Sequence, residues 1–162
     1  MKLSALYQIF LDCQSVTTDS RNCPDGSLFI ALKGESFNGN AFAKLALDSG
    51  CAFAIIDEAE YAVEGDKRYI LVDNCLQTMQ QLANYHRRQL GTRVIGITGT
   101  NGKTTTKELI SSVLCQAHNV LYTLGNLNNH IGVPTTLLRL KPEHDLAVIE
   151  LSLIHISEPT RL

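Results

Sequence analysis

The run Gly96-Ile97-Thr98-Gly99-Thr100-Asn101-Gly102-Lys103-Thr104-Thr105-Thr106 holds residue types that bind and transfer a phosphoryl group. Its glycines let the backbone turn tightly, so that successive N–H groups converge on phosphate oxygens. Lys103 is spaced to reach the β- and γ-phosphates of a nucleoside triphosphate, and the Thr104 hydroxyl to ligate Mg²⁺. Gly99, Thr100, Asn101, Gly102 and Thr105 complete the cradle. The glycines stand at 96, 99 and 102, whereas the general P-loop pattern puts its first glycine where Ile97 stands. A glycine-rich turn with a chance Gly-Lys-Thr is the competing reading. A β-branched strand before the loop and an amphipathic helix after it favour the nucleotide.

Other residues could assist. Ser20 and Arg21 sit in a turn before a strand, where a hydroxyl and a guanidinium could bind a diphosphate or a uracil edge. Such a pair is otherwise a cap and a surface charge. Asn126, Asn128 and Asn129 crowd a loop after a strand, where asparagines also serve as plain turn formers; His130 beside them reads as a surface residue. Glu150 ends the apolar run Leu146-Ala147-Val148-Ile149. A carboxylate at a strand's carboxyl end near a P-loop suits Mg²⁺, although a glutamate there is more often merely solvated. His86-Arg87-Arg88 reads as a solvated helix face.

The elements that must position these residues alternate. Leu3, Leu6, Tyr7 and Phe10 fall at helical spacing, predicting an amphipathic first helix. Strands are expected at 27–32, 51–56 and 69–72, a short helix at 40–48 ended by Gly50, and a helix over 75–90 marked by Leu76, Met79, Ala83, His86 and Leu90. Gly91-Thr92 then breaks the pattern. A strand at 93–98 leads through the glycine loop into a helix over 103–117, expected to carry Leu109, Ile110, Val113, Leu114 and Ala117 on one face. Further strands are predicted at 120–124 and 146–149, with a helix around 135–140 between them. Such alternation favours parallel sheets covered by helices. The expected class is therefore α/β: a small N-terminal αβ substrate domain over 1–90, then the opening of a P-loop parallel-sheet ATPase domain over 91–150.

Composition sets the outer limits. The chain has 162 residues with 44% hydrophobic, 19% charged and a net charge of −2, which excludes disordered and collagen-like classes. Near-neutral charge argues against coating nucleic acid or anionic lipid. Five dispersed cysteines without a CxxC pair read as reduced thiols in a cytoplasmic protein. No stretch reaches the ~18 apolar residues of a membrane span.

The string Thr98-Gly99-Thr100-Asn101-Gly102-Lys103-Thr104-Thr105-Thr106 resembles the ATP loop of the Mur ligase family, which activates a carboxylate as an acyl phosphate and joins it to an amine. Thr18-Asp19-Ser20-Arg21, with Gly26-Ser27-Leu28-Phe29-Ile30-Ala31-Leu32-Lys33-Gly34, is similar to that family's uridine-nucleotide-binding domain. The segment Gly125-Asn126-Leu127-Asn128-Asn129-His130-Ile131-Gly132-Val133-Pro134 resembles members that add D-alanyl-D-alanine. The resemblance covers about residues 15–150. It implies ATP and Mg²⁺ as cofactors, and UDP-N-acetylmuramoyl-tripeptide and D-alanyl-D-alanine as substrates of a cytoplasmic, monomeric parent enzyme in peptidoglycan precursor synthesis. It further implies catalytic roles for Lys103 and Glu150, a metal site at Thr104 and Glu150, and substrate contacts at Ser20, Arg21, Asn126, Asn128 and Asn129. The family commonly has Asp-Gly-His where this chain has Asn38-Gly39-Asn40. Residues 151–162 are expected to match nothing in the family and to be an artefactual tail; the chain alone is expected to be inactive. Alternatives are the ligase that adds the third residue, another P-loop amide ligase, or a non-catalytic nucleotide- or UDP-sugar-binding module.

Overall fold

The computed structural model describes residues 2–152, so the expected tail lies outside the described residues from position 153 onward. The chain divides into two compact units, Met1–Leu82 and Ala83–Leu162. The division falls inside a helix rather than at the Gly91-Thr92 turn.

In the first unit, helix α1 (Leu3–Asp12) buries Leu6, Tyr7 and Phe10. Strands β1 (Val16–Thr17) and β2 (Leu28–Ile30) follow. A small antiparallel hairpin, β3 (Lys33–Gly34) and β4 (Phe37–Asn38), comes next. A 3₁₀ turn at Gly39–Phe42 leads into α2 (Ala43–Asp48). Then come β5 (Phe53–Ile56) and β6 (Tyr69–Leu71). The four longer-range strands form one parallel sheet in the order β1-β2-β5-β6. Leu28, Phe29, Ile30, Ala54, Ile55 and Ile56 are all buried. Continuous apolar runs of this kind are what a parallel sheet covered on both faces requires. The strand β1 and the hairpin were not expected: two-residue strands leave no alternation to read.

Helix α3 (Cys75–Leu90) crosses between the two units. In the second unit, β7 (Arg93–Ile97) leads to α4 (Lys103–Leu114), then β8 (Val120–Tyr122), α5 (Gly132–Leu137) and β9 (Leu146–Glu150). The three strands are parallel in the order β7-β9-β8, with Ile97 opposite Glu150 in the register. All five residues of the central strand β9 are buried. Ile97, Val120, Leu146 and Val148 form the core, with Ile110, Leu114 and Tyr122 packed against it.

Two expectations about helix faces are corrected. On α4, Leu109 and Val113 are 64% and 70% exposed, and the inward stripe is Lys107, Ile110, Ser111 and Leu114. The apolar residues cover about two stripes of the helix, and only one of them meets the sheet. On α3, His86 is buried rather than solvated, its Nε2 lying 2.9 Å from the Leu140 carbonyl. A carbonyl only accepts, so Nε2 carries a proton. Burial lowers its pKa, more than the Leu140 bond raises it.

Candidate nucleotide-binding site

The glycine loop turns between β7 and α4. Gly99 and Gly102 take φ of 148° and 76°, and Gly102 serves as the left-handed residue immediately before α4. A side chain at Gly102 would be strained in that conformation. The turn delivers Lys103 to the first position of the helix, and its Nζ folds back onto the Gly99 carbonyl at 2.7 Å and the Thr100 carbonyl at 3.4 Å. An ammonium held by carbonyls of its own loop can exchange them for phosphate oxygens. The residues Thr100–Thr105, with Asn128, Glu150 and Ser152, line an open pocket of about 390 Å³.

Glu150 stands at the carboxyl end of β9, the end where open α/β sheets bind ligands. It is 1% exposed, so the solvated reading does not hold. The Thr104 hydroxyl donates to its Oε1 at 3.2 Å and the Asn128 amide to the same oxygen at 2.8 Å. Its backbone N–H donates to Thr123 Oγ1 at 3.0 Å. The second oxygen, Oε2, is buried and has no hydrogen-bond partner. Leaving a carboxylate oxygen in that state costs free energy unless a proton or a cation completes it. The donor set is all oxygen, which suits a hard cation such as Mg²⁺. Among the described residues no group of three His, Cys, Asp or Glu could hold a metal by itself. A cation here would therefore draw further ligands from the Thr104 hydroxyl, phosphate and water.

The asparagine loop divides in its roles. Asn128 turns toward Glu150. Asn129 Oδ1 instead accepts the N–H groups of Ile131 and Gly132 at 3.1 and 2.7 Å, capping the start of α5. Gly132 packs so tightly that an added Cβ would lie 2.5 Å from the carbonyl carbon of Leu127. Asn126 is exposed at the loop's tip, as is His130. Two residues outside the expected set also join this network. Lys107 Nζ, fully buried, donates to the Thr123 carbonyl at 2.8 Å, and Thr123 is itself completely buried. The one available sequence signal was a lysine interrupting the inward stripe Ile110-Leu114 at helical spacing.

Ser20 and Arg21 belong to the first unit. Arg21 is exposed and grips Asp19 bidentately, Nε to Oδ1 and Nη2 to Oδ2, both at 2.9 Å. Hydrogen bonds from Arg21 hold the Asp19 carboxyl at about 2. At the carboxyl ends of the same unit's strands lies a closed polar cluster. Asn40, 1% exposed, donates through Nδ2 to Asp57 Oδ1 at 2.8 Å and accepts the Asp57 N–H at 2.9 Å. Lys33 bridges Asp57 and Glu58 at 2.9 and 2.8 Å. Burial pushes the Asp57 carboxyl up, but Lys33, the Cys75 N–H and Asn40 outweigh it, and the net shift is downward.

A parallel-sheet unit opening on a phosphate-type loop, with a carboxylate on the neighbouring strand, defines a P-loop nucleotide-binding class. Residues 97–162 match the Mur ligase middle domain, and residues 12–87 match the Mur ligase family catalytic domain. The chain belongs to the Mur ligase family. It is 44% identical over 138 residues to the UDP-N-acetylmuramoyl-tripeptide–D-alanyl-D-alanine ligase of Bacillus subtilis (strain 168), covering 85% of this chain and 30% of that protein. A solved UDP-N-acetylmuramoylalanyl-D-glutamyl-2,6-diaminopimelate–D-alanyl-D-alanyl ligase from Acinetobacter baumannii superposes with a TM-score of 0.84 at 35% identity, over 97% of this chain and 37% of that one. The MurF ligase of Thermotoga maritima, solved in complex with ADP, gives a TM-score of 0.76 at 30% identity, over 87% of this chain and 32% of that one. The chain thus spans about a third of the length of the relatives it matches. Among the described residues no helix is long and apolar enough to cross a membrane.

Proposed function

We propose that this chain is the N-terminal part of an ATP-dependent amide ligase that joins D-alanyl-D-alanine to UDP-N-acetylmuramoyl-tripeptide in the cytoplasm. Residues 1–90 would take the UDP-muramyl peptide, through Ser20 and Arg21, and residues 91–150 would open the ATP-binding domain. The observation that carries the nucleotide half is the buried, unpartnered Oε2 of Glu150 beside the Thr104 hydroxyl at the mouth of the glycine loop. The names of the relatives carry the choice of substrates.

In this reading the terminal carboxylate of the tripeptide attacks the γ-phosphorus of ATP. ADP leaves, an acyl phosphate forms, and the amine of the dipeptide displaces phosphate to give the amide. Negative charge is spread over the transferred phosphoryl group, so the protein works by positioning and electrostatic stabilisation. Lys103 exchanges the Gly99 and Thr100 carbonyls for phosphate oxygens. The loop's N–H groups hold the phosphate chain. Asn128 lines the same pocket and holds Glu150, while Asn126, exposed on the same loop, is left free to meet the acyl substrate. Thr104 and Glu150 would hold Mg²⁺, which when bound neutralises charge on the nucleotide's phosphates.

Amide spectra of the chain test the assignment. UDP-N-acetylmuramoyl-tripeptide should shift Ser20, Arg21 and Asn38–Asn40. Stronger shifts with the muramyl dipeptide would favour the ligase that adds the third residue, and no shift with either would leave a nucleotide-binding module alone.

A further inference from the structure

Lys107 is an unusual residue for the inner face of α4. Its side chain is completely buried, on the stripe that otherwise carries Ile110, Ser111 and Leu114 against the sheet. Burying an ammonium is costly unless every proton is met, and an apolar side chain of similar volume commonly does at least as well for stability. Here the three ammonium protons have three acceptors: the Thr123 carbonyl at 2.8 Å, the Gly125 carbonyl at 3.4 Å and Glu108 Oε1 at 2.7 Å. A methionine or leucine would fill the space but would reach none of them.

The acceptors lead to the phosphate site by two routes. Thr123, whose carbonyl Lys107 holds, receives the backbone N–H of Glu150 on its own hydroxyl at 3.0 Å. Gly125, the second carbonyl, opens the loop that carries Asn128, whose amide donates to Glu150 Oε1. Thr104, which meets the same Oε1, lies three positions before Lys107, one turn away along the same helix. Helix α4, the end of β8 and the end of β9 are therefore tied into one ring of hydrogen bonds. In that ring Oε1 is occupied twice and Oε2 is left uncommitted.

We infer that Lys107 is a positioning residue of the nucleotide site. Its ammonium clamps the Thr123–Gly125 backbone to α4, so that Thr123 and Asn128 hold the Glu150 carboxylate with one oxygen facing a metal bound to the nucleotide. The inference rests on the reading of Glu150 as a metal ligand. It requires that Lys107 act on the metal-dependent part of nucleotide binding and hardly at all on the phosphate contacts of the glycine loop.

The test is calorimetric titration of the intact chain with ADP, with and without Mn²⁺. For the parent chain Mn²⁺ should raise ADP affinity. In Lys107→Met most of that gain should vanish, a loss of about tenfold or more, as is usual when a residue supporting a metal ligand is removed. Metal-free ADP affinity should stay within about threefold, because Lys103 and the loop N–H groups are untouched. Thr123→Val, which keeps shape and carbonyl but severs the bond to the Glu150 N–H, should show the same selective loss, and it decides the matter if Lys107→Met does not fold. An equal loss with and without metal in either variant would reduce Lys107 to a packing role and overturn the inference. A full Mn²⁺ gain in either variant would overturn it too. A parent chain that binds ADP with no gain from Mn²⁺ would instead remove the metal assignment of Glu150, on which the inference stands.

Discussion

Asn128 donates its side-chain amide to Glu150 Oε1 at 2.8 Å, tying the loop after β8 to the end of β9. The bond spends one asparagine of the loop on a carboxylate rather than on a substrate. Asn128→Ala should leave Oε1 with the Thr104 hydroxyl alone and let the carboxylate swing. We expect a stability loss of about 1–3 kcal/mol in urea unfolding, the usual cost of an unmet buried polar group. Metal-dependent nucleotide affinity should fall by about tenfold. An unchanged affinity would show that Glu150 needs no such support.

Glu150→Gln separates stability from function. The amide keeps an acceptor for Asn128 and Thr104 and removes a carboxylate oxygen that is buried without a partner. A neutral group is less costly to bury than an uncompensated ion. Thermal unfolding should therefore be unchanged or shifted upward, while the metal-dependent part of nucleotide binding disappears. A marked fall in melting temperature would mean that the carboxylate is paired in a way these contacts do not capture.

How far the sequence reached depends on the length of each signal. Helix α3 was readable over its full span, 75–90, because sixteen residues carry five periodic apolar or aromatic positions between a turn and a glycine. The strand, glycine turn and helix around Lys103 were equally plain, since several local signals coincide there. The face of α4 was not, because Leu109 and Val113 are as apolar as Ile110 and Leu114 and nothing local says which pair meets the sheet. The ring through Lys107 and Thr123 was out of reach for a different reason. It joins positions 16 to 46 residues apart, and only the strand order β7-β9-β8 brings their ends together. His86 carried two readings, a mark of the helix's inward face and part of a solvated run with two arginines, and its burial selects the first.

That imidazole makes the second unit sensitive to mild acid. Burial holds the folded pKa of His86 below its ordinary value, so protons bind the unfolded chain more readily. Its contribution to stability is complete above the unfolded value of about 6.5 and is lost as pH falls through the folded pKa. Unfolding midpoints of the parent chain should drop between about pH 7.5 and 5, and His86→Gln should flatten that slope. Equal slopes for the two chains would contradict the assignment.

In the first unit, Asn40 stands where the family commonly has histidine, and it serves the Asp57 backbone and side chain together. Asn40→Ala would strand the buried Asp57 N–H and leave Asp57 Oδ1 to Lys33 alone. A loss of about 2–4 kcal/mol is expected in urea unfolding. A loss below about 1 kcal/mol would show that water takes over those bonds.

The central question is whether the glycine loop is a phosphate site completed by Glu150. Amide spectra of the isotope-labelled chain, titrated with ADP in the presence and absence of Mg²⁺, address this directly. With Mg²⁺, shifts should cluster at Gly99–Thr105, the Asn128 side-chain amide and Glu150, and without it the same set should move at about tenfold higher ADP. Shifts that avoid Gly99–Thr105, or a titration indifferent to Mg²⁺, would contradict it.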